Sequence, residues 1–429
     1  MRLNLVLTLG LTLAACGSRS TTPKPDAGSE DAGATADIPL LDAPVDVLLS
    51  TAPDSRRDLL QSSPDAGADL RSDLSREAAA SSRDATCTGG FAPQVTYAVG
   101  TAPSRVVVGD WNADGHLDLA VTNHASGSIS TLVNAGDGTF APQVTYPTGT
   151  YPGALAVGDF NRDGLPDLAV ASYGANTIAV LSNDGTGLFG APVTSSNIQG
   201  AGIAVGDFSR DGFPDLAVTY NVLDYVAIIP NQQGYFLNLA ACFTGDGPYG
   251  IVAADLDGDG FLDLIASNSN AASISVLLND RTGKFAAAAT YQVGATPNAV
   301  NVGDFNGDGH PDLAVANTDA NTVSVLLNAG NGTFGAQVTY PVGSLPNSLV
   351  VGDFNGDSAA DLAVANQGGN SISLLPGNGD GTFGAQSVYA TGRGPETIAA
   401  GDFDGDGHLD VVVTNQSDNA IGILLARCK

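Results

Sequence analysis

The chain has 429 residues and a formal charge of −29, with 45 acidic side chains against 16 Lys and Arg. That balance argues against nucleic acid as a partner, because an acidic surface repels phosphate backbones. Only four histidines are present, and no serine-nucleophile motif, phosphate loop or zinc spacing accompanies them, so catalysis has few candidates.

Taken in chain order, Met1 to Cys16 places one positive charge, Arg2, before an apolar run too short to span a bilayer, the form of a secretory signal. No later segment is long and apolar enough to cross a membrane. Leu13-Ala14-Ala15-Cys16 resembles the bacterial lipobox. The resemblance implies removal of residues 1–15 as a lipoprotein signal peptide and lipidation of Cys16. An ordinary signal peptide with a chance cysteine is the alternative. Two acyl chains anchor stably where one does not. Gly17 and Ser18, rather than an aspartate, follow the cysteine, and by resemblance to enterobacterial lipoproteins this implies the outer membrane or cell surface of a bacterium. Residues 16–86 are rich in Ala, Ser, Asp and Pro and lack aromatics. Such a segment buries too little apolar surface to offset ordering, which predicts a disordered tether.

Residues 87–429 carry a repeat whose clearest copy is Asp304-Phe-Asn-Gly-Asp-Gly-His-Pro-Asp312. Its first residue recurs at Asp110, Asp159, Asp207, Asp255, Asp304, Asp353 and Asp402, in steps of 48 or 49 residues. Fixed periods of this size mean solenoids, propellers or arrays. Each unit offers four strands, in the fifth Ala299–Gly303, Leu313–Ala316, Thr322–Leu327 and Phe334–Tyr340, with valine-rich alternation between Gly and Asn turns. Four strands repeated seven times predict an all-β, seven-bladed β-propeller; a parallel β-helix, the alternative, usually has shorter rungs. The seventh unit lacks a fourth strand, while Phe91–Tyr97 matches Phe140–Tyr146 and has no unit of its own. The N-terminal strand is therefore expected to complete the last blade and close the ring. In the same alignment Cys87 and Cys428 fall at one turn. This predicts a disulfide across the seam, permitted by export and worth about 2–4 kcal/mol, with two free thiols as the alternative. Cys242 takes the place of Tyr291 and Tyr340 and is expected as a free, packed thiol.

The nine-residue stretch reads as a metal loop. Oxygen-bearing side chains at positions 1, 3, 5 and 9, with a glycine at position 6 for the positive φ of a tight turn, suit a hard cation. The candidate ligands are Asp110, Asn112, Asp114 and Asp118; Asp159, Asn161, Asp163 and Asp167; Asp207, Ser209, Asp211 and Asp215; Asp255, Asp257, Asp259 and Asp263; Asp304, Asn306, Asp308 and Asp312; Asp353, Asn355, Asp357 and Asp361; and Asp402, Asp404, Asp406 and Asp410. Of the 32 acids in residues 87–429, 23 occupy these positions. Packed so closely they repel one another without a cation, which predicts up to seven structural Ca2+. Loops 4 and 7, with four carboxylates each, are expected to bind tightest. Loop 3, with Ser209, and loop 6, where Ser358 replaces the glycine, are expected to bind weakest.

Phe334-Gly-Ala with Gly303-Asp-Phe-Asn-Gly-Asp-Gly309 resembles the FG-GAP and VCBS-type repeat, known best from the integrin α-subunit propeller. The resemblance covers residues 87–429 and implies seven blades, with calcium in the loop joining the first and second strands. It also implies binding of proteins or sugars at a surface. His116, His310 and His408 all stand at loop position 7, where the backbone carbonyl is the expected ligand, and His124 has no visible partner. The function expected is a lipid-anchored binding or adhesion module for a protein or carbohydrate, monomeric and not an enzyme. A scaffold subunit of a surface complex and a polysaccharide-processing enzyme are the alternatives. On the face opposite the loops, a Gly-x-x-Pro motif is followed by Ser104, Gly153, Tyr249, Asn298, Asn347 and Glu396 in six units. Five second strands end in asparagine (Asn123, Asn268, Asn317, Asn366, Asn415), which serve either a ligand or turns. The third unit departs most from the repeat. Tyr173, Tyr220, Tyr225 and Tyr249, in or near it, form the candidate ligand patch.

Overall fold

The computed structural model describes residues 90–427, apart from 197, 199, 233–234 and 237–239, together with the backbone of residues 15–16. Seven blades of four antiparallel strands form an all-β propeller; the strands of a blade follow one another in the chain except in blade 3, where the short hairpin Asn231–Gln232 and Tyr235–Phe236 intervenes, and in the last blade. Blade 5 consists of Pro297–Gly303, Asp312–Asn317, Thr322–Leu326 and Val338–Pro341. The first strands pack on one another around the whole ring, so each blade runs outward from a central channel.

The repeated second strand explains how the blades stack. Every residue of Asp312–Asn317 is buried, because a neighbouring blade covers each face of the sheet. Side chains alternate between the two faces. Leu313 and Val315 enter the core shared with blade 4, whereas Ala314 and Ala316 enter the core shared with blade 6. Blades 2 and 6 repeat the arrangement with Leu168, Val170 and Leu362, Val364 on one side and alanines on the other. Large side chains therefore meet small ones between blades 1 and 2, 2 and 3, 5 and 6, and 6 and 7, whereas Ile265 and Val412 put a large side chain on the facing strand between blades 4 and 5 and blades 7 and 1. A one-residue slip would invert the pattern.

The fourth strand is shorter than its sequence suggests. In blade 5 it begins at Val338 instead of Phe334. Phe334 makes one isolated bridge to Asn328 and places its ring in the core shared with blade 4. The apolar residue that looks like a strand start is a plug between blades.

The ring closes as expected. Val95–Ala98 pairs antiparallel with Ala420–Leu424, with Tyr97 opposite Ile421, and Phe91 bridges Ala426. Phe91 lies 5.2 Å from Tyr389 and 6.1 Å from Phe354 of blade 6, so the seam carries the same aromatic joint as the other blades. The signal peptide, the tether and the Cys87–Cys428 pair lie outside the described residues. The backbone of Ala15–Cys16 runs parallel to the outer strand Ala240–Phe243 of blade 3, with Cys16 opposite Cys242. Cys242 corrects one expectation: it is fully buried, but it is disulfide-bonded and not a free thiol. Among the described residues no helix is long and apolar enough to cross a membrane.

Candidate metal loops and channel mouth

Each loop joins the first and second strands of its blade and is built by its own carboxylates. In loop 5, Asp304 accepts hydrogen bonds from the backbone N–H of Asp308 (3.2 Å) and Gly309 (2.9 Å), and Asp308 accepts one from His310 (2.9 Å). Gly309 has φ 84°, as expected for position 6. Position 4 is also left-handed, which sequence reasoning missed: Gly307 has φ 74°, and Ala113, Arg162 and Arg210 hold the same position in the first three loops. Their sequence gives no signal, since only a glycine there would mark a positive φ. Ser358 of loop 6 has φ 70° and still donates its N–H to Asp353, so the serine takes the glycine conformation with the strain expected of it.

Position 9 differs from the others. Asp312 is fully buried and accepts the N–H of Phe305 (3.0 Å) with one oxygen and that of Asn328 (2.7 Å) with the other. The other six loops repeat both bonds. With no cation bound, burial pushes the carboxyls of Asp118, Asp167, Asp215, Asp263 and Asp361 up to about 6, and Asp410 up to about 7. Desolvation and neighbouring loop aspartates outweigh the hydrogen bonds.

A cation fits this donor set. In loop 4, carboxylate oxygens of Asp255, Asp257 and Asp263 all lie within 4.8 Å of one another, as do those of Asp402, Asp404 and Asp410 in loop 7. Oxygens bound to one calcium at about 2.3–2.6 Å can be no more than roughly 5 Å apart. These are the two loops singled out by their four carboxylates. Asp259, the fifth position of loop 4, also pairs with Arg281 at 2.7 Å.

The loops are tied to the next blade by parts that the sequence did not reveal. The residue at position 2 is a buried plug, and its ring meets the Phe before the fourth strand of the following blade: Trp111 with Phe189 (5.7 Å), Phe160 with Phe236 (5.7 Å), Phe305 with Phe383 (5.3 Å) and Phe403 with Phe140 (5.8 Å). Asn328 of blade 5 donates its amide to the Leu256 carbonyl in loop 4 (2.9 Å), and Asn134, Asn231 and Asn279 make the same link elsewhere. The signal available was the aromatic or Leu that follows every first aspartate.

On the opposite face the candidate tyrosines are scattered. Tyr220 is buried in the core between blades 2 and 3, 7% exposed, and stacks on the half-buried Tyr225 at 4.6 Å. Tyr173 is 39% exposed. Tyr249 turns toward the channel, where the Arg105 guanidinium of blade 1 lies 5.6 Å from its ring centroid. The strand-ending asparagines serve the fold: Asn123, Asn268, Asn317 and Asn366 are buried and donate to hydroxyls of the third strand. His116 is exposed, His310 and His408 are half-buried, and His124 stacks on the exposed Tyr151 at 5.0 Å, a partner hidden in sequence because it comes from blade 2.

The model of the FG-GAP-like repeat matches residues 110–170, 159–218, 255–315, 304–364 and 353–413, together more than half of the chain. No curated protein matches. Among solved structures, BBS1N in complex with ARL6DN, soaked with lead, aligns with TM-score 0.56 and 12% identity over 79% of this chain and 97% of that one. A functionally unknown protein from Desulfotomaculum acetoxidans DSM 771 aligns with TM-score 0.50 and 14% identity, covering 71% of this chain and 94% of that one. An Agrocybe aegerita lectin that recognises non-reducing terminal N-acetylglucosamine aligns with TM-score 0.49 and 20% identity, over 70% and 90%. At these identities the likeness concerns the fold alone. Repeats, loops and ring together make the chain a member of the FG-GAP-like repeat family, a seven-bladed propeller of the binding or adhesion type.

Proposed function

We propose that the chain is a calcium-stabilised binding module, held at a bacterial cell envelope by a lipid on Cys16 and presenting the face opposite its metal loops to a protein or carbohydrate. The convergence of three carboxylates in loops 4 and 7 carries the calcium part of this reading. A cluster of that kind is costly without a cation, and all-oxygen donors select calcium over softer metals. No catalytic role is assigned. The loop carboxylates are used by the loops themselves, and His116, His310 and His408 contribute backbone N–H groups to position 5.

Calorimetric titration of the calcium-stripped protein tests the metal assignment. The expected result is two tight sites followed by weaker ones; seven equivalent sites would contradict the ranking of the loops, and no heat of binding would remove the metal from the account. Metabolic labelling with a palmitate analogue, compared with Cys16→Ser, tests the anchor: label retained by the variant would exclude it.

A further inference from the structure

We propose that the mouth of the central channel, on the face opposite the metal loops, is a saccharide site in which Arg105, Glu396 and Tyr249 hold one pyranose ring. The proposal rests on the binding-module reading and names a ligand class for it.

The seven first strands that line the channel contain two charged residues, Arg105 in blade 1 and Glu396 in blade 7. They occur in adjacent blades at the same end of the channel and interact electrostatically. They do not close an ion pair: among the described residues the ion pairs are Arg281–Asp259 and Arg393–Asp418. Each is instead anchored by other groups. Arg105 donates Nε to the Gly153 carbonyl (3.2 Å) and Nη1 to the Thr397 hydroxyl (3.4 Å). Glu396 accepts the Gln416 amide through Oε2. Its backbone carbonyl accepts the Asn347 amide at 3.1 Å, and Asn347 in turn accepts from Asn298 at 2.6 Å. Arg105 Nη2 and Glu396 Oε1 have no hydrogen-bond partner among the described residues, and Tyr249 completes the enclosure from blade 4. The Glu396 side chain is half-buried, and burial pushes its carboxyl up to about 7.

The chemistry selects the ligand. An anion would meet Glu396 and a cation would meet Arg105, each at a cost in a partly desolvated site. A neutral vicinal diol suits both, since each hydroxyl donates and accepts. One accepts from Nη2 while its neighbour donates to Oε1. The apolar face of a sugar ring can then rest against Tyr249.

The test uses the calcium-loaded full chain and the methyl glycosides of glucose, galactose, mannose and N-acetylglucosamine, followed by ligand-observed NMR and calorimetry. At least one should bind in the millimolar range, and Glu396→Gln and Tyr249→Ala should each weaken it by about ten-fold or more with the melting temperature unchanged. Arg105→Lys should do the same; if it also loosens the ring, the near-isosteric Glu396→Gln decides. Lack of binding by all four glycosides, in protein that still titrates calcium, overturns the channel site and leaves the module reading to its own test. Glycoside binding that survives Glu396→Gln and Tyr249→Ala overturns the site while supporting the module.

Discussion

The two ends of the blades are written under different constraints. At the loop end, position 9 is aspartate in all seven copies and position 6 is glycine in six. At the channel end, the residue after the proline runs through Ser104, Gly153, Tyr249, Asn298, Asn347 and Glu396, and blade 3 has no Gly-x-x-Pro. The structure gives a reason. Each position-9 carboxylate secures two buried N–H groups, and the plug at position 2 fills the joint with the next blade. A change at that end disturbs a joint of the ring. At the channel end many side chains meet a ring centre, where different residues can be accommodated without unpairing a backbone group. The uniform end is scaffold, and the variable end is where discrimination can reside.

Removing calcium should affect the uniform end most. A cation present at a hundredfold excess over its Kd contributes about 2.7 kcal/mol per site. Two tight loops alone therefore predict a fall in melting temperature of about 8 °C in chelator. An unchanged melting temperature would mean that the loops need no ion. A smaller effect separates the position-9 carboxylates, which also hold buried backbone groups, from the other ligands of the loop. In chelator, Asp263→Ala leaves the N–H groups of Leu256 and Asn279 buried without acceptors, at a cost of about 2–4 kcal/mol by denaturant unfolding. Asp257→Ala, also in chelator, should be neutral or slightly stabilising, because it relieves repulsion within the loop. Equal losses in both variants would erase the distinction between the two kinds of position.

The same carboxylates give the calcium-free protein an unusual response to pH. Their pKa values rise from 3.8 to about 6 or 7 on folding. Between pH 4 and 7 the folded chain therefore holds more protons than the unfolded one, and its stability falls as the pH rises through that window. In chelator the melting temperature should be higher at pH 5 than at pH 7.5. With saturating calcium the order should reverse, because the cation requires the ionised form. A calcium-free protein that gains stability toward pH 7.5 would show that the position-9 aspartates are not held by desolvation.

Much of this was legible in the sequence because the repeat announces itself. The spare strand Phe91–Tyr97 could be assigned to the last blade by its match to Phe140–Tyr146, and the carboxylate count ranked loops 4 and 7 before any coordinates. What stayed hidden depends on who stands opposite whom. Tyr220 reads as a loop aromatic but is core, because its ring stacks on Tyr225 beneath the turn. Cys242 reads as a packed thiol because nothing in its own repeat marks the residue that bonds it. Arg105 and Glu396 are almost 300 residues apart, and only ring closure makes them neighbours.

Loop 6 offers the finest comparison, since it matches loop 5 at positions 1 to 5 and 9 and its serine at position 6 keeps the same hydrogen bond. Ser358 N–H donates to Asp353 at 2.9 Å just as Gly309 N–H donates to Asp304 at 2.9 Å, with φ 70° and 84°. A side chain added at Gly309 would meet nothing within 4 Å, so the cost of a serine there is conformational and not steric. A left-handed L-residue costs about 1–2 kcal/mol, of which the greater freedom of glycine in the unfolded chain offsets about 0.5–1. Ser358→Gly should therefore stabilise by a few tenths to about 1 kcal/mol, and Gly309→Ser should destabilise by a similar amount, both measured in chelator. In calcium, Ser358→Gly should also strengthen a weak site. Opposite signs of similar size place the penalty in the backbone; a much larger loss for Gly309→Ser would place it instead in packing around loop 5.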